Sequence, residues 1–204
     1  DLLLPSDFSC TRLFWNEGDG TFVDTTEASG VGTDENGMGG SVADIDNDGD
    51  LDWLVTSISN GNKTGNRLYR NEQDRVFSDA TTEYGVREGF WGWGVELFDF
   101  ENDGDLDGVM TNGWRATENF EDPMVAWVND GSGEAWIEGA EELGFDDVYQ
   151  GRGLYTLDFD RDGDLDVLVA RHGQEPLLYR NNVVTSDHWT RIKVIGTTSN
   201  VDAI

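Results

Sequence analysis

The sequence predicts an all-β fold built from β-propeller-like blades of about four antiparallel strands each. An acidic nine-residue loop occurs three times, beginning at Asp44, Asp99 and Asp158, so the copies lie 55 and 59 residues apart. The segments between these loops are short, rich in β-branched and aromatic residues, and bounded by Gly, Asn and Asp, which is typical of strands. Four-stranded units of this period need a neighbour to cover their faces, and this requirement indicates propeller blades.

Two further markers follow the same period. A tetrapeptide that ends in asparagine recurs, with its last residue at Asn16, Asn71, Asn129 and Asn181. A Gly-Val or Gly-Phe pair lies 14 to 16 residues after each of the first three asparagines. Three markers in a fixed order make a chance arrangement implausible, so we treat the chain as an internal repeat.

The markers divide the chain into five predicted segments. These are the second half of a preceding blade over 1–38, repeats over 39–91, 92–151 and 152–182, and a closing segment over 183–204. Strands are predicted at 40–44, 51–56, 67–71, 76–79, 93–98, 106–111, 125–129, 135–138, 153–157, 165–170 and 177–181, with two more within 12–25. Short helical turns are predicted at 25–30, 80–84 and 138–143. Because a propeller usually closes with about 4 to 8 blades, we expect a fragment of a longer propeller, or else an open array or a ring completed by other chains.

The acidic loops hold the hard oxygen ligands that Ca²⁺ prefers. Carboxylates at alternate positions surround a Gly at position six, which permits the sharp bend that turns them inward. Position twelve is Val55, Met110 or Val169 where an EF-hand requires Glu, and the flanks are strand-like, so the loop is not an EF-hand. We predict about three calcium ions held by Asp44, Asp46, Asp48, Asp50 and Asp52, by Asp99, Glu101, Asp103, Asp105 and Asp107, and by Asp158, Asp160, Asp162, Asp164 and Asp166.

Within each loop the positions have different predicted roles. Positions one, three, five and nine are assigned as side-chain ligands, and position seven as a backbone carbonyl ligand whose side chain faces solvent. Five like charges within nine residues repel one another, so without a cation the loops should be strained or open. Mg²⁺ is the alternative metal, whereas zinc is disfavoured because the chain has two histidines and one cysteine, which do not cluster. Glu101 is longer than the Asp at this position in the other copies and is expected to weaken or reshape its site.

Composition excludes several classes of protein. The formal net charge of -29 makes nucleic acid a poor partner. No run approaches the roughly 20 apolar residues of a membrane-spanning helix, so no membrane span is expected. The single cysteine, Cys10, cannot form an internal disulfide and is expected to be a buried apolar residue or part of a terminal stub. With only two lysines, the acid-rich balance favours a secreted protein.

The repeats resemble a known family. Loops of the form DxDxDGDLD after Gly-rich strands, as in Gly39–Asp44, are similar to FG-GAP or VCBS-type repeats, and so is the turn at Asn16–Phe22. The segment from Leu178 to Asn200 resembles the start of an ASPIC/UnbV domain, which follows such repeats in acidic cartilage proteins. The resemblance implies calcium-binding blades of a seven- or eight-bladed propeller. It also implies an extracellular or cell-surface scaffold in adhesion or in binding of a protein or glycan.

Two other functions stay open at this level. A propeller-based carbohydrate-active enzyme, such as a polysaccharide lyase, would bring Arg115, Arg152 or His172 to an open metal site. Because the chain shows no recognisable set of nucleophile, base and acid, we expect no enzyme. A structural subunit of an extracellular polymer would show large flat interfaces between copies, and self-association is not assigned.

The partner surface is expected on the loops of variable length. The connections between second and third strands, Ser57–Asn66 and Thr111–Asp122, differ most between copies, and variable loops on a rigid scaffold commonly bind partners. Exposed tryptophans are a second candidate feature for partner binding. We expect Trp53, Trp127 and Trp136 in the core, and Trp91, Trp93 and Trp114 as candidates for exposure, where an aromatic face could stack on a sugar.

Overall fold

The computed structural model describes residues 1–59, 61–114, 121–132 and 135–184, together with Thr190, Ile192 and Ile195. In this part of the chain, antiparallel strands form four sheets, in the strand orders β1-β2-β3, β4-β5-β6-β7, β8-β9-β10-β11 and β12-β13-β14. The strands are β1 (Leu2–Leu4), β2 (Arg12–Asn16), β3 (Phe22–Asp24), β4 (Gly39–Ala43), β5 (Asp52–Thr56), β6 (Arg67–Asn71), β7 (Phe77–Asp79), β8 (Gly92–Phe98), β9 (Asp107–Asn112), β10 (Val125–Val128), β11 (Ile137–Glu138), β12 (Gly151–Leu157), β13 (Asp166–Arg171) and β14 (Leu177–Tyr179). One short helix, α1 (Ala140–Leu143), precedes the last sheet. The predicted all-β, blade-like architecture is confirmed.

Three sheets meet along the edges formed by their first strands. β4 contacts β8, and β8 contacts β12. The backbone N–H of Leu97 donates to Ser41 Oγ at 3.1 Å across the first of these seams. At the second seam a Cβ on Gly94 would lie 2.7 Å from the backbone nitrogen of Leu154, so only glycine permits this approach. The absence of a side chain at Gly94 therefore lets neighbouring sheets pack closely.

The hydrophobic core lies between the sheets and not within any one of them. One buried cluster joins the β1–β3 and β4–β7 sheets, a second joins the β4–β7 and β8–β11 sheets, and a third joins the β8–β11 and β12–β14 sheets. The tryptophans predicted for the core are buried, with exposed fractions of 1% for Trp53, 2% for Trp127 and 5% for Trp136. Each sheet therefore depends on its neighbour to cover its apolar face, as the repeat pattern predicts.

The strands agree with the sequence prediction to within a few residues, with one addition. β1 was not predicted, because a three-residue apolar run has no alternation to distinguish it. It pairs with β2 and gives the first sheet a third strand. Of the helical turns, the one at 138–143 is α1. The other two are single turns closed by backbone bonds from Ser29 N–H to Thr25 O at 2.7 Å and from Tyr84 N–H to Ala80 O at 3.0 Å.

Three further predictions concern the termini and the membrane. Cys10 is exposed, so the expectation of a buried residue is wrong; its Sγ lies 3.4 Å from the carbonyl oxygen of Phe8, in an open turn. Within the described residues, no helix is long and apolar enough to cross a bilayer. Most of the closing segment predicted over 183–204 lies outside the described residues.

Candidate metal centres

The three acidic loops lie at one edge of the molecule. They join β4 to β5, β8 to β9, and β12 to β13, and we call them the first loop (44–52), the middle loop (99–107) and the third loop (158–166). Gly39 lies against Trp93 and Ser41 against Leu97, so β4 and β8 run in the same direction. Neighbouring strands that run in parallel bring the loops at their ends to the same edge.

Two residues in each loop have left-handed backbone conformations that produce the turn. Position six is Gly49, Gly104 or Gly163, with φ of 95°, 98° and 102°. Glycine adopts such angles without the steric penalty of a Cβ. Position four is also left-handed, at φ 59° for Asn47, 58° for Asn102 and 68° for Arg161. Asparagine tolerates this region better than arginine does, so the third loop adopts the turn at a greater cost.

Three carboxylates converge at the open end of the first loop, which we call its mouth. Asp44, Asp46 and Asp48 each offer an oxygen, and these oxygens lie within 4.8 Å of one another. The Asp44 carboxylate is held across the turn, because its two oxygens accept the backbone N–H groups of Asp48 at 3.1 Å and Gly49 at 3.0 Å. This is a set of hard oxygen donors on a tight turn, which fits a calcium ion.

The other two loops differ at the mouth. In the third loop, oxygens of Asp158, Asp160 and Asp166 lie within 4.8 Å of one another. The middle loop keeps the same turn, since Asp99 accepts N–H groups from Asp103 at 3.1 Å and Gly104 at 2.9 Å. Among the described residues, however, the middle loop does not bring three ligand atoms together as the other two loops do. Glu101, with its extra methylene, is the side chain that distinguishes it.

Position nine forms a buried floor beneath each mouth. The exposed fractions of Asp52, Asp107 and Asp166 are 1%, 0% and 1%. In every loop one carboxylate oxygen accepts the backbone N–H of position two, and the other accepts the N–H of the repeat asparagine on or after the third strand. The distances are 2.9 and 2.7 Å for Asp52, 3.2 and 2.8 Å for Asp107, and 2.9 and 2.8 Å for Asp166. Position nine therefore fastens the loop to its own sheet whether or not it also binds metal.

The electrostatics of the loops favour a bound cation. Burial raises the pKa of Asp52 to about 6 and that of Asp107 to about 7, against hydrogen bonds that lower it. Burial and then the charges of neighbouring carboxylates also raise the pKa of Asp46 and of Glu101. A divalent cation among these groups would offset both the desolvation and the repulsion, so the residues present fit calcium.

An arginine occupies the mouth of the third loop. The Arg180 guanidinium pairs with Asp160 through Nε at 2.7 Å and with Asp162 through Nη2 at 3.2 Å. The equivalent Arg70 instead pairs with Glu72 at 3.0 Å and Glu83 at 3.1 Å, outside the first loop. Two predicted ligands of the third loop therefore already have a cationic partner, which a metal ion would have to displace.

In two of the three loops, the side chain at position seven, predicted to face solvent, contacts the neighbouring loop. Asp164 Oδ1 accepts a hydrogen bond from Asn102 Nδ2 at 2.7 Å, and Asp105 Oδ1 accepts one from Asn47 Nδ2 at 3.5 Å. Both carboxylates are partly buried at the seam between neighbouring loops. Position four was not among the predicted functional residues, although the asparagine there in two of the three copies was a signal for it.

The opposite edge of the molecule holds a stack of aromatic side chains. The ring of Trp114 stacks on those of Trp91 and Trp93. The ring centroids are 5.1 and 5.8 Å apart, and the ring planes are inclined by 11° and 20°. The Arg152 guanidinium covers Trp93 at 4.2 Å and donates to the carbonyl oxygen of Gly113 at 3.0 Å. Trp114 is 37% exposed, as expected, whereas Trp91 and Trp93 are half-buried.

Of this aromatic stack, Trp114 lies within the predicted partner surface, and Trp91 and Trp93 pack against it. The segments Ser57–Asn66 and Thr111–Asp122 connect strands at this same edge, far from the acidic loops. Residue 60 and residues 115–120, which include Arg115, lie outside the described residues. In the described part of Thr111–Asp122, Thr111 and Asn112 are buried, and Trp114 is the exposed aromatic residue.

Comparison with known proteins identifies the repeats. The FG-GAP-like repeat matches residues 1–55 and 56–110. Cartilage acidic protein 1 of Mus musculus is 31% identical over 210 residues, covering 94% of this chain and 30% of that protein. The Homo sapiens protein of the same name is 30% identical over 201 residues, covering 94% of this chain and 29% of that protein. The Xenopus tropicalis protein is 28% identical over 208 residues, covering 94% of this chain and 30% of that protein.

The matches confirm the resemblance seen in the acidic loops. The chain spans about three tenths of the length of the curated relatives it matches. The repeat matches cover more than half of the chain and include the first loop and the middle loop. The chain therefore belongs to the family of FG-GAP-like repeat proteins.

Proposed function

We propose that the protein is a calcium-binding extracellular scaffold, secreted or at the cell surface, which mediates adhesion by binding a protein or glycan partner without chemical turnover. The name of the curated relatives, cartilage acidic protein 1, supports an extracellular setting. The observation that supports calcium most directly is the convergence of three carboxylate oxygens in the first loop and in the third loop. Exposed acids repel one another, so a cation is the simplest account of the convergence in the first loop, whereas in the third loop Arg180 already pairs with Asp160.

Calcium would act as a structural element of the blades. The loops connect the first two strands of their sheets, and the floor aspartates fasten them to the third strand. An ion held by the carboxylates at the mouth would cancel the repulsion and fix the hairpin to which the strands belong. The scaffold would then present its opposite edge in a fixed geometry.

The partner would bind at that opposite edge, around Trp114. Its indole is held by two tryptophans and by Arg152, so its orientation is set before any partner arrives. A rigid aromatic face provides contact area with little loss of conformational entropy on binding. Tyr149, 43% exposed, follows in the next blade, and the adjacent residue Gln150 lies against Gly113. The two exposed aromatic groups therefore flank one seam.

Two of the residues suggested for an enzyme, Arg152 and His172, lie far from the acidic loops. Arg152 is six residues before Asp158 along β12, which at about 3.3 Å per residue places it about 20 Å from the third loop. It donates to Gly113, Gly151 and Gln150. His172, which is exposed, follows β13 at the same far end. These positions favour binding over a lyase-like reaction at the metal.

A calcium titration tests the metal part of the proposal. Thermal unfolding is measured with calcium and with a chelator, and calorimetry counts the bound ions. At free calcium about 100-fold above the dissociation constant, each site should stabilise the fold by roughly 2.7 kcal/mol. Magnesium at the same concentration is the control for a general effect of divalent charge. Equal midpoints with calcium and with chelator would exclude structural calcium.

The partner part is tested with a glycan array and matched variants. We expect the calcium-loaded protein to bind glycans on the array, and Trp114→Ala to lose that binding while calcium binding is kept. Tyr155→Ala removes an aromatic group that is 62% exposed on another surface and serves as the control. Equal loss in both variants would contradict the assigned surface. Cleavage of acidic polysaccharides that disappears on substitution of Arg152 or His172 would instead support the enzyme alternative.

A further inference from the structure

The acidic loops contact one another through a side chain outside the predicted ligand set. Position four of one loop donates to position seven of the next, from Asn102 to Asp164 at 2.7 Å and from Asn47 to Asp105 at 3.5 Å. The two contacts occur at equivalent positions of successive blades. They therefore follow from the repeat geometry of the chain.

The left-handed backbone at position four explains the direction of this contact. Asn47 and Asn102 have φ near 58°, in the middle of a turn whose carboxylates point inward. Their amides lie between the loops, where they reach the neighbouring sheet. On the receiving side, a Cβ at Gly131 would collide with Asp105 Oδ2, so the Asp105 carboxylate is enclosed between that glycine and Asn47.

Position seven links the contact to the predicted metal ligands. Its backbone N–H donates to the carboxylate of position five, from Asp105 to Asp103 at 2.9 Å and from Asp164 to Asp162 at 3.2 Å. Its carbonyl is itself a predicted ligand. A hydrogen bond that fixes the side chain of position seven therefore also restricts two ligand groups of that loop.

We propose that Asn47 and Asn102 are positioning residues for the calcium site of the following blade, so that neighbouring sites are coupled across each seam. Asn102 orders the third loop, and Asn47 orders the middle loop. Calcium in a loop fixes the residues on either side of its position four, and the fixed amide then prepares the next loop. Because coupling is reciprocal in free energy, calcium in the later loop also favours calcium in the earlier one. This inference rests on the proposed calcium binding.

The third loop provides the matched control. Its position four is Arg161, which is exposed and has no hydrogen-bond acceptor among the described residues. Arg161→Gly therefore changes the same position of the turn without breaking a contact between loops. Asn102→Gly removes the amide while glycine keeps the left-handed backbone available. Any greater flexibility of the altered loop should be common to both variants.

The test is a calcium titration followed by NMR at the position-six amides, which report the loops separately. In Asn102→Gly, the midpoint at Gly163 should move to roughly three- to tenfold higher calcium, as expected for loss of one hydrogen bond. The midpoint at Gly49 should move less than the midpoint at Gly163, because the Asn47–Asp105 contact is retained. Arg161→Gly retains the Asn102–Asp164 contact, so it should cause no loss of calcium affinity at Gly163. An unchanged midpoint at Gly163 in Asn102→Gly would overturn the proposal.

Two further measurements separate this inference from calcium binding itself. A double-mutant cycle of Asn102→Gly and Asp164→Ala should be non-additive, and additivity would overturn the coupling. In chelator, Asn102→Gly should accelerate hydrogen exchange at the Asp164 amide, whereas Arg161→Gly should leave exchange at the Asp105 amide unchanged. If no loop binds calcium, the proposed function fails, while unchanged exchange at Asp164 would refute the contact's ordering role independently.

Discussion

The floor and the mouth of each acidic loop place the same type of side chain in opposite environments. At the floor, Asp52 and Asp107 are buried, and both carboxylate oxygens of each accept backbone N–H groups. At the mouth, Asp46 and Asp48 are exposed and converge on each other. The floor is satisfied by the chain itself, whereas the mouth is left with like charges in contact.

This difference separates two roles that the repeated sequence motif merges. A buried acceptor of two N–H groups stabilises the blade with or without calcium, because its loss leaves both donors unsatisfied. A group of exposed carboxylates stabilises the blade only when a cation is present. The stability effects of substitutions at the floor and at the mouth should therefore depend differently on calcium.

The largest expected effect is at the floor and should persist without calcium. Asp107→Ala removes the acceptor for Phe100 and Asn129 N–H groups in a fully buried site. We expect a loss of about 3 kcal/mol in unfolding free energy, from two unsatisfied donors at about 1–3 kcal/mol each. Urea unfolding in chelator measures it. Asp103→Ala is the control at the exposed mouth. In chelator it should leave the unfolding free energy unchanged or raise it slightly, since it removes a repelling charge. Equal losses in the two variants would contradict the difference between floor and mouth.

The next effect is at the mouth and should require calcium. Asp48→Ala should lower the calorimetric stoichiometry by one ion, and Asp103→Ala and Asp162→Ala should do so in their own loops. Each variant should lose the roughly 2.7 kcal/mol that one site contributes at calcium about 100-fold above its dissociation constant. An unchanged ion count would show that position five is only a solvated group.

A smaller effect should distinguish the middle loop from the other two. Glu101→Asp restores the shorter side chain found at position three of the first and third loops. We expect the calcium affinity of the middle loop to rise roughly tenfold, about 1.4 kcal/mol, if one further oxygen enters the coordination sphere. The midpoint at the Gly104 amide reports this site, and Asp46→Glu, the reverse change, should weaken the first loop. No change at either loop would remove the explanation based on side-chain length.

The smallest effect concerns the arginine at the third loop. Arg180→Gln removes the cation paired with Asp160 and Asp162, which calcium would otherwise displace. Because exposed ion pairs are worth about 0.2–1 kcal/mol, calcium affinity should rise by a few-fold at low salt and less at high salt. Arg70→Gln is the control, since its partners Glu72 and Glu83 lie outside the first loop. A fall in affinity would mean that Arg180 orders the ligands.

Much of the fold follows from spacing alone. Repeated turns and asparagines located most strands, because a strand between two polar turns has few alternatives in a chain of this period. β1 was missed because a run of three leucines is too short to show an alternation of apolar and polar residues. Cys10 was placed wrongly because burial of a small side chain depends on which segment covers it, and no local pattern records that.

The sequence by itself determined the repeat, the blade architecture and the acidic loops, because each depends on residues within one blade. The tertiary structure decided what depends on two blades or on the distance between strands. It showed Asp107 as a buried acceptor, Arg180 within the third loop, and Asn102 in contact with Asp164 in the next blade. The contacts of Arg180 with Asp162, of Asp107 with Asn129 and of Asn102 with Asp164 join residues that are 18 to 62 positions apart in the chain, and their partners are set by how the strands and sheets pack.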